Sequence, residues 1–291
     1  MDFLNCVKDA EKWDALEFSD PHFTSAYYRA WKKEGTLASA YGCARPFIFQ
    51  DRDTIGNAYN FGGTVIFAQP SFGKSIDFAN DFEDWRTANN YNERCTLAPW
   101  STDGYPIAVD FTSMYISAKP NVFIDLREDY KFSKGHKHAI KKAEKNRVKC
   151  TVPKPTPANA GKFEDMYYTA MRRKGAAEHW IYYPGFFYEV LRELGPRRAV
   201  LFFTYVGQDL ECACIVLYGG GTAYYHWAAR RGEAPDVGAG HFQIFTVANW
   251  LRYQGYRRLH LGGGLTAEDS LFTFKKGFSD KTVPVFSYNR S

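Results

Sequence analysis

Arg258-Leu-His-Leu-Gly-Gly-Gly264, closely followed by Asp269-Ser-Leu-Phe-Thr-Phe-Lys-Lys-Gly-Phe278, joins a strand, a glycine break and a cationic helix end. Leu259 and Leu261 alternate with polar neighbours after a helical segment, which predicts a strand entering a sheet. Gly262, Gly263 and Gly264 remove every Cβ at its end and leave room for another backbone or a ligand. Asp269 and Ser270 can then cap a short helix that presents Phe274, Lys275 and Lys276.

Working outward from this stretch, the second half of the chain has a clear order of elements. Ala158 to Arg173 and Pro184 to Leu194 are predicted helices. Three strands follow, Ala199 to Val206, Glu211 to Tyr218 and Thr222 to Ala229, joined by Gly-Gln-Asp and Gly-Gly-Gly turns suited to hairpins. A helix over Gly238 to Gln254 leads to the strand Arg258 to Leu261, and a connection through a helix predicts parallel pairing with the strand before it. Val283 to Asn289 is the last predicted strand.

In the first half, Asp9 to Phe18, Pro21 to Glu34 and Ser75 to Asn89 have helical spacing. Leu37 to Tyr41, Pro46 to Gln50, Thr64 to Ala68, Cys95 to Ala98 and Val122 to Leu126 are short strand-like pieces, and Pro99 to Pro120 is loop-rich. The whole reads as an α/β (α+β) protein with mixed sheets flanked by helices. With 291 residues, 45% apolar and 18% aromatic, it can bury a sizeable core, which excludes disorder. The net charge of +5 permits nucleic-acid contact without demanding it. The six cysteines, Cys6, Cys43, Cys95, Cys150, Cys212 and Cys214, have no zinc-site spacing and read as reduced packing thiols. No metal site is expected. No stretch has the length and apolarity to span a bilayer and the N-terminus lacks a signal-peptide pattern, so a cytoplasmic protein is expected.

Charge concentrates in one place. Lys134, Lys137, Lys141 and Lys145 share a face of a helix predicted over 133–146, joined by Lys142 and opposed only by Glu144, while Ala139, Ile140 and Ala143 supply a narrower apolar face. A solvated surface helix is one reading; a docking face for a polyanion such as tRNA phosphate is the other, because clustered like charges repel without a partner.

The glycine strand end with its Asp-Ser-Leu-x-x-Phe-Lys helix resembles the C-terminal signature of Fem-type aminoacyltransferases, relatives of the GNAT acyltransferases. Further similarity lies in Tyr59-Asn-Phe-Gly-Gly63, in Asn121-Val-Phe-Ile-Asp-Leu126, in Tyr167 to Lys174 and in His138-Ala-Ile-Lys-Lys-Ala-Glu-Lys-Asn-Arg-Val148. In the last of these His138, Lys141 and Arg147 replace the family's Asn, Arg and Gly. The resemblance implies two tandem GNAT-like domains: 1–130, completed by the C-terminal strand 282–291, and 131–281, with the basic helix at the junction.

It further implies transfer of an amino acid from aminoacyl-tRNA, as co-substrate, to an amine of a peptide-type acceptor, with no cofactor and no covalent enzyme intermediate. The acceptor would be a peptidyl natural-product intermediate, carrier-bound or not, or a peptidoglycan precursor. The activated ester needs positioning and a cation for its developing oxyanion, and the family's Phe-Lys pair maps onto Phe274 and Lys275. The bland reading of Lys275 and Lys276 is a helix C-terminus favoured by its dipole. Tyr224 and His226 read equally as contacts for the acceptor amine and as core aromatic packing. Where some family members place an arginine before a proline to hold phosphate, this chain has Tyr183-Pro184; with Trp180, that leaves Tyr183 and the three glycines as acceptor-binding candidates. Lys134, Lys137, Lys141, Lys142, Lys145 and Lys276 are the tRNA-binding candidates. The rival is an acyl-CoA-dependent GNAT N-acyltransferase, for which Pro235-Asp-Val-Gly-Ala-Gly240 would be the pyrophosphate loop; it lacks the usual first arginine and carries Asp236.

Overall fold

The computed structural model describes residues 1–18, 20–32, 34–58, 61, 65–66, 71–99, 115–232, 236–266 and 269–290. Most of the Tyr59 to Gly63 turn, the strand predicted over 64–68 apart from Val65–Ile66, residues 100–114 of the loop-rich stretch and Pro235 lie outside them. The chain forms two compact units, Met1–Lys119 with Pro284–Ser291, and Pro120–Val283.

The first unit begins with β1 (Asp2–Asn5), α1 (Ala10–Asp14), a 3-10 turn at Pro21–Phe23 and α2 (Ser25–Ala30). The helices are shorter than predicted for local reasons. Glu17 and Lys32 have positive φ, which a right-handed helix does not allow. Thr24 breaks the Pro21 to Glu34 run because its hydroxyl accepts the Tyr27 N–H at 3.3 Å and starts a new helix. There follow β2 (Gly35–Ala40), β3 (Cys43–Asp51), β4 (Thr54–Gly56), β5 (Val65–Ile66), α3 (Phe72–Ala88) and β6 (Asn92–Thr96). Tyr41 and Gly42, at φ 55° and 80°, form the two-residue turn of the β2–β3 hairpin. Paired positive φ values match the twist of the flanking strands.

The second unit starts from β7 (Tyr115–Asp125) and continues with α4 (Lys134–Lys145), β8 (Lys149–Thr151), α5 (Pro157–Arg173) and α6 (Phe186–Leu194). Then come β9 (Ala199–Val206), β10 (Asp209–Gly219), β11 (Thr222–Arg230), α7 (Ala239–Tyr253), β12 (Arg258–Gly262) and α8 (Ser270–Lys276). Its strands lie in the order β7-β12-β11-β10-β9-β8. β9, β10 and β11 form an antiparallel meander, β11 and β12 are parallel, and β12 is antiparallel to β7. Ile244, Val247, Ala248 and Leu251 of α7 bury against Val122, Ile124, Phe202, Cys214, Val216, Leu259 and Leu261. On α6, Phe186 and Phe187 pack on Trp227 of β11. Apolar residues at strand spacing thus meet apolar residues at helical spacing, and the result is a mixed α/β fold with helices flanking mixed sheets. All six cysteines are free, and burial pushes the Cys212 thiol up to about 12, which makes it an inert packing group.

The chain ends in β13 (Thr282–Arg290), whose Ser287–Arg290 pair antiparallel with Thr96–Glu93 of β6. This strand is tied into the first unit by charge. Arg290 donates to Glu93 at 2.6 Å, Arg45 donates to the same carboxylate, and the Tyr288 hydroxyl donates to it at 3.2 Å. Glu93 is only 2% exposed. Removing it leaves the Arg45 guanidinium without this carboxylate in the interior and Arg290 with Glu83, so Glu93→Ala is expected to destabilise the protein by about 3 to 5 kcal/mol in urea unfolding.

Candidate functional site

β12 leaves the sheet at its glycines. Its register against β7 shifts between His260 and Gly262, and Gly262 has φ 81°, a conformation that side chains disfavour. Gly263 is close to its neighbour: a Cβ there would lie 2.7 Å from Asn121 Oδ1 and 3.0 Å from the Pro120 carbonyl oxygen. The glycines therefore serve close backbone approach to β7 as well as any ligand.

α8 returns a cation to this strand end. Asp269 accepts from the Leu265 N–H at 2.6 Å, the Thr266 N–H at 3.2 Å and the Phe272 N–H at 2.7 Å, so one carboxylate gathers the loop and starts the helix. These hydrogen bonds hold its pKa below the ordinary carboxylate value. Six residues on, half-buried Lys275 donates from Nζ to the Gly263 carbonyl at 2.6 Å. Burial lowers its pKa to about 8; Asp269 works against that shift and Lys174, at the end of α5, adds to it. The arrangement is a partly desolvated ammonium held at a glycine-lined carbonyl, the electrostatics needed beside a developing oxyanion.

Phe274 packs between rings rather than facing open space: its centroid is 5.0 Å from His241 and 5.4 Å from both His136 and Phe278. Tyr224 is 1% exposed, with its ring 5.6 Å from that of His260. His226 lies where the β10–β11 register slips by one residue, Ile215 facing Trp227 and Val216 facing Tyr225. It is the inserted residue of a β-bulge, a device that re-aims side chains next to functional sites. Half-buried Tyr183 belongs to an aromatic wall with Tyr182, Phe186 and Trp227, standing 5.5 Å from Phe186, and half-buried Trp180 precedes it in the chain. The structure thus brings together Gly262, Gly263, Gly264, Phe274 and Lys275, whereas Tyr224 and His226 lie on β11 and Trp180 and Tyr183 precede α6.

On α4, Lys134, Lys137, Lys141, Lys142 and Lys145 are all exposed, whereas Ile140 and Ala143 are buried against the sheet side. Lys142 donates to the Asp236 carbonyl at 2.6 Å and Lys276 to the Asp280 carbonyl at 2.7 Å, so these two cations also hold local structure. The start of α7 is partly occupied by the chain itself, with Arg230 3.5 Å from the Asp236 carboxylate. Asp236 accepts the Gly238 N–H at 3.1 Å, and a Cβ at Gly238 would meet the Ala139 carbonyl oxygen of α4 at 2.2 Å. The terminus that would receive a pyrophosphate carries the chain's own carboxylate and is pressed by α4.

Sequence reasoning missed Asn121, His136 and His241 as neighbours of the glycine–lysine group. The Asn121 motif was visible only as a strand signature, and the histidines are brought together by α4, α7 and α8 from distant parts of the chain.

The antiparallel meander followed by a helix and a parallel strand is the element order of an acyltransferase-type domain. The chain belongs to the acetyltransferase (GNAT) domain family, whose match spans residues 131–276, half of its length. None of the curated protein sequences matches it. Among solved structures it is similar to FemX, with a TM-score of 0.68 and 11% identity over 99% of this chain and 97% of that one. It is also similar to the C-terminal domain of a lysylphosphatidylglycerol synthetase from Agrobacterium fabrum, at TM-score 0.66 and 11% identity over 98% and 93% of the two chains. A third, L-PGS from Bacillus licheniformis, has a TM-score of 0.66 and 14% identity over 97% and 91%. At these identities the likeness is one of fold. Among the described residues no helix is long and apolar enough to cross a membrane, and no His, Cys, Asp and Glu cluster is suited to a metal.

Gly263→Ala is expected to cost about 1 to 3 kcal/mol in urea unfolding, because the new methyl overpacks the strand end against Asn121 and Pro120. Gly161→Ala in α5, where a Cβ meets nothing within 4 Å, is the contrasting control and should stabilise by about 0.5 to 1 kcal/mol.

Proposed function

We propose that the protein transfers an amino acid from aminoacyl-tRNA to an amine of a peptide-type acceptor, acting in the cytoplasm and using the charged tRNA as co-substrate without a further cofactor. The observation that carries this reading is the half-buried Lys275 ammonium at the Gly263 carbonyl, on a helix that touches the lysine-faced α4. The amine nitrogen attacks the ester carbonyl carbon, the bond from that carbon to the ribose oxygen breaks, and the amine proton ends on the ribose oxygen. Lys275 would leave the Gly263 carbonyl, or share itself with it, to stabilise the oxyanion; losing such a donor costs about 2.7 to 4 kcal/mol of barrier. The three glycines leave room for the ester, and the Trp180 to Tyr183 wall is the candidate acceptor surface. Tyr224 takes the packing role, and His226 on its bulge is the candidate contact for the acceptor amine. The fold likeness to FemX and to lysylphosphatidylglycerol synthetases is compatible with aminoacyl as with other acyl transfer.

The family description favours a second reading, N-acylation from acyl-CoA. The start of α7 opposes it in part, since Asp236, 3.5 Å from Arg230, already accepts the Gly238 N–H there. Calorimetric titration with acetyl-CoA separates the two: tight binding would favour acyl-CoA.

Lys275→Met should lower transfer by about 10²- to 10³-fold with the fold retained. As an electrostatic group, Lys275 acts only while protonated. Its pKa of about 8 therefore places an alkaline fall in rate just above that pH. Lys275→Arg keeps the charge at every working pH and should remove that limb from the profile; a limb that survives in the arginine variant argues against the role. Lys137→Glu with Lys141→Glu should raise the KM for charged tRNA and flatten its salt dependence, measured from 50 to 200 mM salt, a range over which backbone contacts weaken by orders of magnitude.

A further inference from the structure

α8 has an unusual problem of placement. It spans only Ser270–Lys276 and contains no fully buried side chain, so burial alone does not fix where its lysine points. Point contacts must do so, and at its C-terminal end one contact comes from α4. His136 makes a 2.8 Å hydrogen bond through Nε2 to the carbonyl oxygen of Phe274, the residue before Lys275. A carbonyl only accepts, so Nε2 carries the hydrogen. In the neutral ring Nδ1 is then an acceptor, and it receives the Ser133 hydroxyl at 3.0 Å. The same hydroxyl oxygen accepts the His136 N–H at 3.2 Å as the N-cap of α4. Burial keeps the His136 pKa below the ordinary histidine value, which favours this neutral tautomer.

The ring is held by shape as well. Its centroid lies 4.4 Å from Phe278 and 4.6 Å from His241 of α7, in edge-to-face arrangements. His241, half-buried beside it, has its pKa pushed down to about 4, chiefly by burial, and is neutral with it. Gly277 completes the fit: a Cβ there would fall 2.0 Å from the imidazole, although its φ of −66° suits any residue. The glycine is required by the ring, not by the backbone. Ser133 N–H also donates to the Gly277 carbonyl at 2.8 Å, so the start of α4 is bonded to the end of α8 through both main chain and side chain.

We propose that His136 is a positioning residue that ties the polyanion-facing helix α4 to α8 and so holds Lys275 against the Gly263 carbonyl. This rests on the reading of Lys275 as the group that serves the reacting ester. One helix then carries both the exposed lysines and the pin that sets the reactive amine. Displacement of α4 by a bound polyanion is transmitted to Lys275 through two hydrogen bonds, from His136 to the Phe274 carbonyl and from the Ser133 N–H to the Gly277 carbonyl, and through one ring.

The test reads Lys275 itself. The full-length protein is labelled with acetic anhydride over a range of pH, and the labelling midpoint of each lysine is obtained by peptide mass spectrometry, with exposed Lys137 as internal reference. The wild-type Lys275 midpoint is expected near 8. His136→Leu fills the space without the donor and should raise that midpoint by about one unit or more toward the ordinary lysine value. His136→Gln, whose amide nitrogen can reach the same carbonyl, should restore it. Gly277→Ala breaks the fit from the α8 side and should move Lys275 in the same direction as His136→Leu, so the test survives the loss of either variant to misfolding. An unchanged Lys275 midpoint in His136→Leu or Gly277→Ala, or an ordinary midpoint in the wild type, overturns the proposal. The labelling needs neither tRNA nor acceptor. A protein that shows the shift but transfers nothing loses the functional reading alone; one that transfers without the shift loses the positioning role alone. In a transfer assay His136→Leu should lower kcat while leaving KM for the charged tRNA nearly unchanged.

Discussion

A lysine ammonium partly withdrawn from water, donating to the carbonyl of Gly263, is the interaction around which the second unit is arranged. Desolvation disfavours the charge, and the carbonyl oxygen and Asp269 offset part of that cost. For the bond to form, β12 must leave the sheet where Gly262 takes its positive φ, Gly263 must approach Asn121 without a Cβ, and Asp269 must fold the following loop back. Each requirement names a residue in the Leu-Gly-Gly-Gly and Asp-Ser-Leu-Phe-Thr-Phe-Lys stretches. The local sequence is accordingly consistent with one geometry at several levels at once.

In the same unit the start of α7 and the face of α4 carry different groups. α4 packs its Ala139 carbonyl against Gly238, and Asp236 takes the N–H that an external anion would use. Positive charge instead lies on the opposite face of α4, where Lys134, Lys137, Lys141 and Lys145 stand exposed. An extended row of flexible cations suits a long phosphate backbone, whereas a helix terminus suits one compact phosphate group. The His136 contact with Phe274 links that row to the amine on α8.

How much of this was legible in the sequence follows from how local each signal is. β9 and the order of the second unit could be read because apolar runs and Gly turns are short-range features; the paired positive φ at Gly220 and Gly221 is what Gly-Gly supplies. The parallel β11–β12 pairing followed from the intervening helix. The basic stripe and the α8 cap were equally plain. β1, β4 and β8 were not, being strands of only three or four residues, too short to show an alternation. At the site, Lys275 was legible but its carbonyl partner was not. His136 was hidden, since its two partners are Ser133 nearby and Phe274 far along the chain, and attention in that helix fell on His138, which is exposed. The bulge at His226 left no mark in the alternation of Tyr224-Tyr-His-Trp227, because every residue there is aromatic.

The most direct measurement of the central claim is a mass-spectrometric transfer assay in which the purified protein meets a full set of charged tRNAs bearing isotopically labelled amino acids, a panel of peptide amines, and acetyl-CoA as competing donor. The account predicts a peptide product heavier by one labelled aminoacyl residue, lost in Lys275→Met. A product heavier by an acetyl group alone, or labelled peptide formed as fast by Lys275→Met, would contradict it.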